Sequence, residues 1–149
     1  MIDVLHPYIK IIEIKMTIDE LIDNFEFLDN WEDKYRYLIE LGEKLPVLSL
    51  EFHSEEWKVK GCQSQVWLVP EKKSDGSISF RGDSDAMIVK GLIAIVLMIY
   101  NNKTPSEIDN IDIADIFISL GLKEHLSPSR RNGLEAMVEK IKHYAVVLR

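Results

Sequence analysis

The sequence predicts an α+β domain, in which a small antiparallel sheet packs against helices. Two groups of helix-start signals flank a central region that has the alternating pattern of β-strands. A hairpin signal, Asp75-Gly76, lies between two strand-like runs of that region, and glycine tolerates the positive φ that such turns need. Helices and strands are therefore segregated along the chain, which is typical of α+β folds. The 149 residues suit one domain, because domains most often have about 100–150 residues.

The N-terminal signals predict two helices. Thr17 and Glu20 match a capping box, and apolar residues follow them at helical spacing. Asn30 can cap a second helix, whose apolar stripe runs to Leu45. Pro46 then ends this helix, because proline lacks the backbone donor that a helix interior requires.

The central region and the C-terminal half complete the domain. Three runs rich in β-branched or aromatic residues predict strands at Trp57–Val59, Gln65–Pro70 and Ser77–Arg81. From residue 85 onward the pattern is helical. The predicted helices are Ala86–Tyr100 capped by Asp85, a short helix after Thr104-Pro105, Ile113–Leu120 capped by Asp112 and ended by Gly121, and a last helix from about Ser129 to Val147.

Composition excludes several classes of function. The net charge is -7, with 25 acidic and 18 basic residues, so the surface should repel the phosphate backbone of nucleic acids. No apolar stretch reaches the ~20 residues that a transmembrane helix needs, and the longest, Ala86–Tyr100, contains Lys90 and Gly91. One cysteine cannot form an internal disulfide, which favours a reducing compartment. We therefore predict a cytoplasmic protein that binds neither nucleic acid nor membrane.

The first residues, Met1–Lys15, form a predicted extension ahead of a domain over residues 16–149. Asp3 and Lys10 interrupt their apolar residues, so they lack the continuous apolar region of a signal peptide. Met16 directly precedes the first helix start. Two alternatives stay open: the extension is an ordered arm, or translation starts at Met16.

The one cysteine, Cys62, lies in a segment of small and polar residues between two strand signals. Its neighbours Gly61 and Gln63 favour a loop, where functional residues concentrate. Lys58 and Lys60 are close in sequence and could favour the thiolate, which is the nucleophilic form of cysteine. In the opposite interpretation, Cys62 is a buried and inert side chain, as free cysteines often are. The residues alone leave both interpretations open.

The histidines complete no recognisable catalytic or metal site in the sequence. A cysteine hydrolase needs a histidine base with an orienting group, and neither His6 nor any other histidine lies in such a signature. We expect His53 and His125 to be exposed loop residues and His143 to lie on the polar side of the last helix. A single thiolate lacks the ligand spacing of zinc and iron–sulfur sites. The sequence therefore predicts no metal and disfavours a hydrolase.

Four blocks of the sequence occur together, in this order, in one known family. The block around the cysteine is Gly61-Cys62-Gln63-Ser64-Gln65-Val66-Trp67. The others are Asn30-Trp31-Glu32-Asp33-Lys34-Tyr35 through Gly42, Gly82-Asp83-Ser84-Asp85-Ala86 with Ile88-Val89-Lys90-Gly91-Leu92, and Leu126-Ser127-Pro128-Ser129-Arg130 with Gly133-Leu134-Glu135-Ala136-Met137. Together they resemble the SufE family, the sulfur-acceptor proteins of iron–sulfur cluster assembly. The resemblance runs from Thr17 to the end of the chain.

The resemblance implies a fold, a reaction and two partners. The fold is the α+β fold that SufE proteins share with IscU-type scaffolds. Cys62 accepts sulfur as a persulfide from a SufS-type cysteine desulfurase, stimulates that enzyme, and passes the sulfur to a SufB-containing scaffold complex. The chain itself then needs no cofactor, because pyridoxal phosphate belongs to the desulfurase, and no turnover by the isolated chain is expected. Independently of the resemblance, one thiol can carry sulfur but cannot hold a cluster.

Several residues are expected to support Cys62. Gly61 can supply backbone freedom to the cysteine loop, in which Gln63 also lies. By resemblance, Arg130 lies near this loop and either stabilises the thiolate or contacts the partner; the alternative is an ion pair with Asp83 or Asp85. Those two aspartates either cap the next helix or form part of the surface that binds the desulfurase.

Other functions remain as alternatives. The chain could be a paralogous carrier for another desulfurase pathway, such as tRNA modification. It could be a stand-alone enzyme with a cysteine nucleophile, or a binding module in which Cys62 is structural. These alternatives differ in whether Cys62 is needed and in whether a partner is needed.

Overall fold

The protein, seen in a computed structural model that describes residues 16–149, is an α+β domain with seven helices and one two-stranded sheet among those residues. This confirms the predicted fold class. The extension Met1–Lys15, with His6, lies outside the described residues. In chain order the elements are α1 (Ile18–Phe27), α2 (Trp31–Glu43), a 3₁₀ turn (Leu50–Phe52), β1 (Val66–Lys72), β2 (Ile78–Ser84), α3 (Met87–Tyr100), α4 (Pro105–Asp109), α5 (Ile113–Leu120), α6 (Leu122–His125) and α7 (Pro128–Val147).

Most helices begin where a local side chain accepts a hydrogen bond from the free amides of the first turn. The hydroxyl of Thr17 and the side chain of Asn30 accept hydrogen bonds from the first turns of α1 and α2, as predicted. Thr104 forms a complete capping box in α4, and Asp112 caps α5. Gly121 ends α5 in the left-handed conformation, with φ of 72°.

The sheet is an antiparallel hairpin with one additional bridge. Strands β1 and β2 pair from Val66 opposite Ser84 to Lys72 opposite Ile78, and Gly76 takes a φ of 89° in the connecting loop. The predicted strand Trp57–Val59 is reduced to one bridge, between Lys58 and Trp67. The backbone of this segment nevertheless pairs with the start of β1, which fixes the point where the cysteine loop begins.

Helix α3 forms the centre of the core and crosses α2 at very short range. Ten of its 14 residues are buried. A Cβ added to Gly91 would lie 2.7 Å from the carbonyl carbon of Leu38 and would overlap its oxygen. A Cβ on Gly42 would lie 2.7 Å from the amide nitrogen of Gly91. Glycine at both positions is therefore what allows α2 and α3 to approach.

The start of α3 differs from the prediction. Asp85 does not cap the helix, which begins after Ala86 without a side-chain cap. The Ala86 amide donates instead to the Ser84 hydroxyl at 3.2 Å. The carboxylate of Asp85 accepts from the amide of Gln65 at 3.0 Å, because β2 delivers it opposite the end of the cysteine loop. The predicted cap is therefore an anchor for that loop.

None of the helices between residues 16 and 149 has both the length and the hydropathy needed to cross a bilayer.

Candidate functional site

The cysteine loop, residues 60–65, is held at its two ends. At one end the amide of Val59 donates to the carbonyl of Val66 at 2.8 Å. At the other end Gln65 and Asp85 exchange two hydrogen bonds, since the Asp85 amide also donates to the Gln65 carbonyl at 3.3 Å. Gly61 has a φ of +94°, a conformation that side chains rarely adopt. The predicted loop and its glycine turn are thus present.

The thiol of Cys62 points from this loop toward helix α7. It is half-buried, and its Sγ donates to the carbonyl of Gly133 at 3.5 Å. It opens on a cavity of about 200 Å³. The residues that line the cavity are Cys62, Gln63, Ser64, Val89, Leu92, Ser127, Ser129, Arg130, Gly133 and Met137. The site is therefore assembled from the cysteine loop, α3 and the first turns of α7.

The walls of the cavity are of two kinds. Val89 and Leu92 from α3, with Met137 from α7, provide an apolar wall. Ser127 caps α7 by accepting from the Arg130 amide at 3.3 Å, and these two residues give the same cavity a polar lining. A species that is partly apolar and partly anionic could bind against such a lining.

Burial controls the protonation of the thiol. It raises the pKa of Cys62 above the usual 9.0, because the charged form loses solvation. The prediction that lysines favour the thiolate is wrong: Lys58 pairs with Glu55 at 3.7 Å, and the side chain of Lys60 is exposed. The resting thiol is thus protonated at neutral pH and is a poor nucleophile.

The structure brings together most of the predicted site residues. Gln63 and Arg130 line the cavity beside Cys62, and Gly61 is adjacent in the loop. Asp85 anchors the loop from behind. The alternative in which Arg130 forms an ion pair with an aspartate is not realised among residues 16–149.

Asp83 belongs to a separate cluster on the sheet. Its carboxylate lies 2.8 Å from Nε2 of His53 and 3.3 Å from Nζ of Lys90. Burial alone would raise the pKa of Asp83, but the hydrogen bonds from His53 and the Ser84 amide, with the charge of Lys90, outweigh it and lower that pKa.

His53 was expected to be an exposed loop residue, which is wrong. Its side chain is 18% exposed, packs edge-on against Trp67, and contacts the Ser49 carbonyl at 3.1 Å through Nδ1. It ties the 3₁₀ turn to β2, and no local signal marks a contact between residues 30 positions apart. His125 and His143 are exposed as expected, but His125 is the last residue of helix α6 and not a loop residue, and it stacks on Trp31.

Sequence reasoning missed the serines and the glycine of α7 as site residues. Ser127 and Ser129 were interpreted only as part of a family block, and so was Gly133. The signal available for Gly133 is a glycine in the interior of an amphipathic helix, where it is unfavourable unless space is needed. No cluster of three or more potential metal ligands occurs in the described part of the chain.

The fold and the site define a class of protein: an α+β domain that holds one half-buried thiol against a small cavity. The sequence model of the SufE family, described as an Fe-S metabolism associated domain, matches residues 19–145. The chain is 52% identical over 132 residues to an uncharacterized SufE-like protein of Rhizobium meliloti (strain 1021), covering 87% of this chain and 94% of that protein. It is also 52% identical over 134 residues to a SufE-like protein of Rhizobium etli, with coverages of 88% and 90%.

The chain therefore belongs to the SufE family, which is associated with Fe–S metabolism, and the predicted resemblance is confirmed. The fold is also found in the solution structure of a hypothetical protein from Thermus thermophilus, with a TM-score of 0.70. That structure is 19% identical and covers 89% of this chain and 98% of its own, so it supports the fold alone.

Proposed function

We propose that the chain is a sulfur carrier that accepts sulfur as a persulfide on Cys62 from a SufS-type cysteine desulfurase. It stimulates that enzyme and delivers the sulfur for iron–sulfur cluster assembly. The observation that carries the proposal is the thiol of the chain's one cysteine, half-buried at a cavity of about 200 Å³. That volume is well above the ~10–15 Å³ that a single water needs, so an additional sulfur atom has room.

The transfer is a sulfur analogue of thiol–disulfide exchange. The Cys62 thiolate attacks the outer sulfur of a persulfide on the catalytic cysteine of the desulfurase. A new S–S bond to Sγ forms while the S–S bond of the partner breaks, and the partner's cysteine leaves as a thiolate. The exchange involves no net oxidation or reduction. Pyridoxal phosphate, which extracts sulfur from cysteine, is supplied by the partner, and this chain is proposed to need no cofactor.

The resting geometry favours protection over reaction. A protonated thiol does not attack, and burial raises the pKa of Cys62. The thiol hydrogen is directed to the carbonyl of Gly133. We therefore propose that the Cys62 thiol becomes exposed and deprotonated only in the complex with the desulfurase. The isolated chain is accordingly proposed to turn over no substrate.

The loop has the anchoring that an outward movement requires. Its ends are hydrogen-bonded at Val59 and Gln65, whereas no backbone–backbone hydrogen bond within the described residues holds residues 60–64. Gly61 can change its backbone angles at little steric cost. We propose that the tip swings out on docking and carries Cys62 into the active site of the desulfurase.

Arg130 is proposed to contact the partner or the persulfide anion. It is exposed at the cavity and pairs with no carboxylate within residues 16–149. A guanidinium without a fixed partner can bind an incoming anion without first breaking an ion pair. The surface around Arg130 and the cavity is also proposed to bind the SufB-containing complex when the sulfur is delivered. We propose that this delivery takes place in the cytoplasm, under reducing conditions.

The alternatives are less well supported by the site. The described residues that line the cavity include no histidine, carboxylate or lysine, so a hydrolase would lack a general base beside Cys62. A structural role for Cys62 does not explain why its thiol opens on a cavity. A carrier for another desulfurase pathway has the same site chemistry, and capture with different desulfurases distinguishes it.

Sulfide release by a SufS-type desulfurase tests the proposal. With cysteine and a reductant present, adding the wild-type chain should stimulate release several-fold, and the chain alone should release none. Cys62→Ser should still bind the desulfurase but should not stimulate it, because the acceptor thiol is lost. Equal stimulation by Cys62→Ser would instead support a binding module.

A further inference from the structure

Gly133 lies where helix α7 passes the cysteine, and Cys62 is its nearest neighbour from outside that helix. The three atoms nearest to a Cβ added at Gly133 all belong to that residue: Sγ at 3.4 Å, Cβ at 3.8 Å and Cα at 3.9 Å. Position 133 is buried and lines the cavity. Glycine is disfavoured in a helix interior, so its presence at this position needs a reason.

The thiol itself does not supply that reason. A distance of 3.4 Å is an ordinary van der Waals contact, so alanine at position 133 could pack against the thiol form of Cys62 without a clash. Gly91 differs, because there the surrounding backbone excludes any side chain. The backbone of Gly133 also needs no left-handed conformation, since its φ is not positive.

A persulfide makes a larger demand on the same space. Its outer sulfur lies about 2.05 Å from Sγ. Because the bonds of divalent sulfur are bent, this atom lies to the side of the Cβ–Sγ axis, in a direction set by rotation about the Cβ–Sγ bond. After transfer Sγ carries no hydrogen, so its hydrogen bond to the carbonyl of Gly133 is lost and the side chain can rotate. A methyl group at position 133 would fill volume beside Sγ that the outer sulfur can use.

We propose that Gly133 is a positioning residue for the persulfide: its missing side chain keeps open the part of the cavity that the outer sulfur occupies at rest. The inference rests on the proposed function and deepens it, because it assigns to one residue the capacity of the site for a second sulfur atom. Cys62 is the residue that reacts, and Gly133 acts by leaving space beside it.

The test compares the persulfide and the thiol of Gly133→Ala with those of the wild type. Each protein is loaded chemically with inorganic polysulfide, so that loading does not depend on a desulfurase. The lifetime of the persulfide toward a limiting reductant should fall about tenfold in Gly133→Ala. The added methyl group should disfavour the buried position of the outer sulfur relative to its exposed position, and overpacking of this kind shifts an equilibrium by about this factor. The rate at which iodoacetamide alkylates the unloaded thiol should change less than about twofold, since the thiol form fits alanine.

Controls separate this effect from changes in the helix. Lys142→Ala alters an exposed position of α7 and should leave both rates unchanged. If Gly133→Ala does not fold, Val89→Leu fills the same cavity from α3 and should shorten the persulfide lifetime in the same way. An unchanged persulfide lifetime, or an equal change in thiol alkylation, overturns the proposal for Gly133. Failure of a desulfurase to load the wild type, with chemical loading intact, would count against the proposed function and not against the role of Gly133.

Discussion

Two helix contacts in this protein depend on glycines, and they differ in the space that surrounds each one. Where α2 crosses α3, a Cβ on Gly91 would overlap the backbone of Leu38. Where α7 passes the cysteine loop, the nearest atoms from outside α7 to a Cβ on Gly133 would be those of Cys62, at 3.4 Å or more. The first glycine is needed for the fold to close. Gly133, in contrast, leaves space that the thiol form of the protein does not need. The first glycine therefore serves packing, and the second is a candidate for function.

The same separation holds for polar groups. Around the α2–α3 crossing Leu38 and Leu41 are buried, and the charged neighbour Lys90 has its Nζ 3.3 Å from the carboxylate of Asp83. Around Cys62 apolar residues share the cavity lining with serines and an arginine. A region that stabilises the fold pairs the polar groups it contains, whereas a region that must bind and release an anion keeps polar groups available for it. This difference identifies the candidate site independently of the family.

The largest expected effect is on the α2–α3 contact. Gly91→Ala should lower the free energy of unfolding by about 3 kcal/mol, the upper part of the range for overpacked cores, because backbone cannot move aside as a flexible side chain can. Urea unfolding measures it. Gly133→Ala is the matched control, and should be neutral or stabilising by up to about 1 kcal/mol, the gain in helix propensity. Equal destabilisation of both variants would remove the distinction between the two contacts.

A second prediction concerns the anchor of the cysteine loop and should leave the helix crossing unaffected. Asp85→Ala removes the acceptor for the Gln65 amide. Loss of a hydrogen bond worth about 1 kcal/mol should raise the open population of the loop, and so the alkylation rate of Cys62, about fivefold. Iodoacetamide kinetics followed by mass spectrometry measure this rate.

The control for the anchor is Asp23→Ala, which removes an exposed carboxylate of α1 and should not change alkylation. If Asp85→Ala left the rate at the wild-type value, the carboxylate would not restrain the loop.

The smallest expected effect is the pH dependence that comes from the thiol. The pKa of Cys62 is raised by burial above 9.0, so the folded state holds this proton more tightly than the unfolded state. The contribution of this proton to the stability of the fold is fully present below pH 9, the ordinary pKa of the thiol, and is lost as the pH rises through the pKa of the folded state. Above pH 9 the unfolding free energy of the wild type should therefore fall relative to that of Cys62→Ser, and unfolding curves at several pH values measure this change.

Two tyrosines also titrate at high pH, and the comparison of variants cancels them. Burial raises the pKa of Tyr100 to about 12 and also raises that of Tyr144. Both are present in the wild type and in Cys62→Ser. A difference between the two proteins that stayed constant through this range would contradict a raised pKa for the thiol.

Local signals in the sequence predicted most of the helices. Thr17, Asn30, Thr104 and Asp112 cap the helices they were assigned to, because a cap depends on an interaction three residues away. The hairpin at Asp75-Gly76 followed from the positive φ that glycine tolerates. These features need no knowledge of the tertiary structure.

Most of the failures involve partners distant in sequence. Asp85 was a plausible cap, but Gln65, 20 positions earlier, competes for its carboxylate. His53 was expected to be exposed, but β2 places Asp83 beside it. Local charge suggested that lysines activate Cys62, whereas burial against α7 dominates. The position of the cysteine loop was predicted, but the cavity was not, because it is formed by residues from three separate segments.

The most direct test of the sulfur-carrier account is the mass of the intact chain after incubation with a SufS-type desulfurase and cysteine, without reductant. The account predicts a gain of one or more sulfur atoms, mapped to Cys62, removed by a reductant and absent in Cys62→Ser. If no adduct forms with any cognate desulfurase, and sulfide release is not stimulated, Cys62 is not a sulfur acceptor and the central claim is wrong.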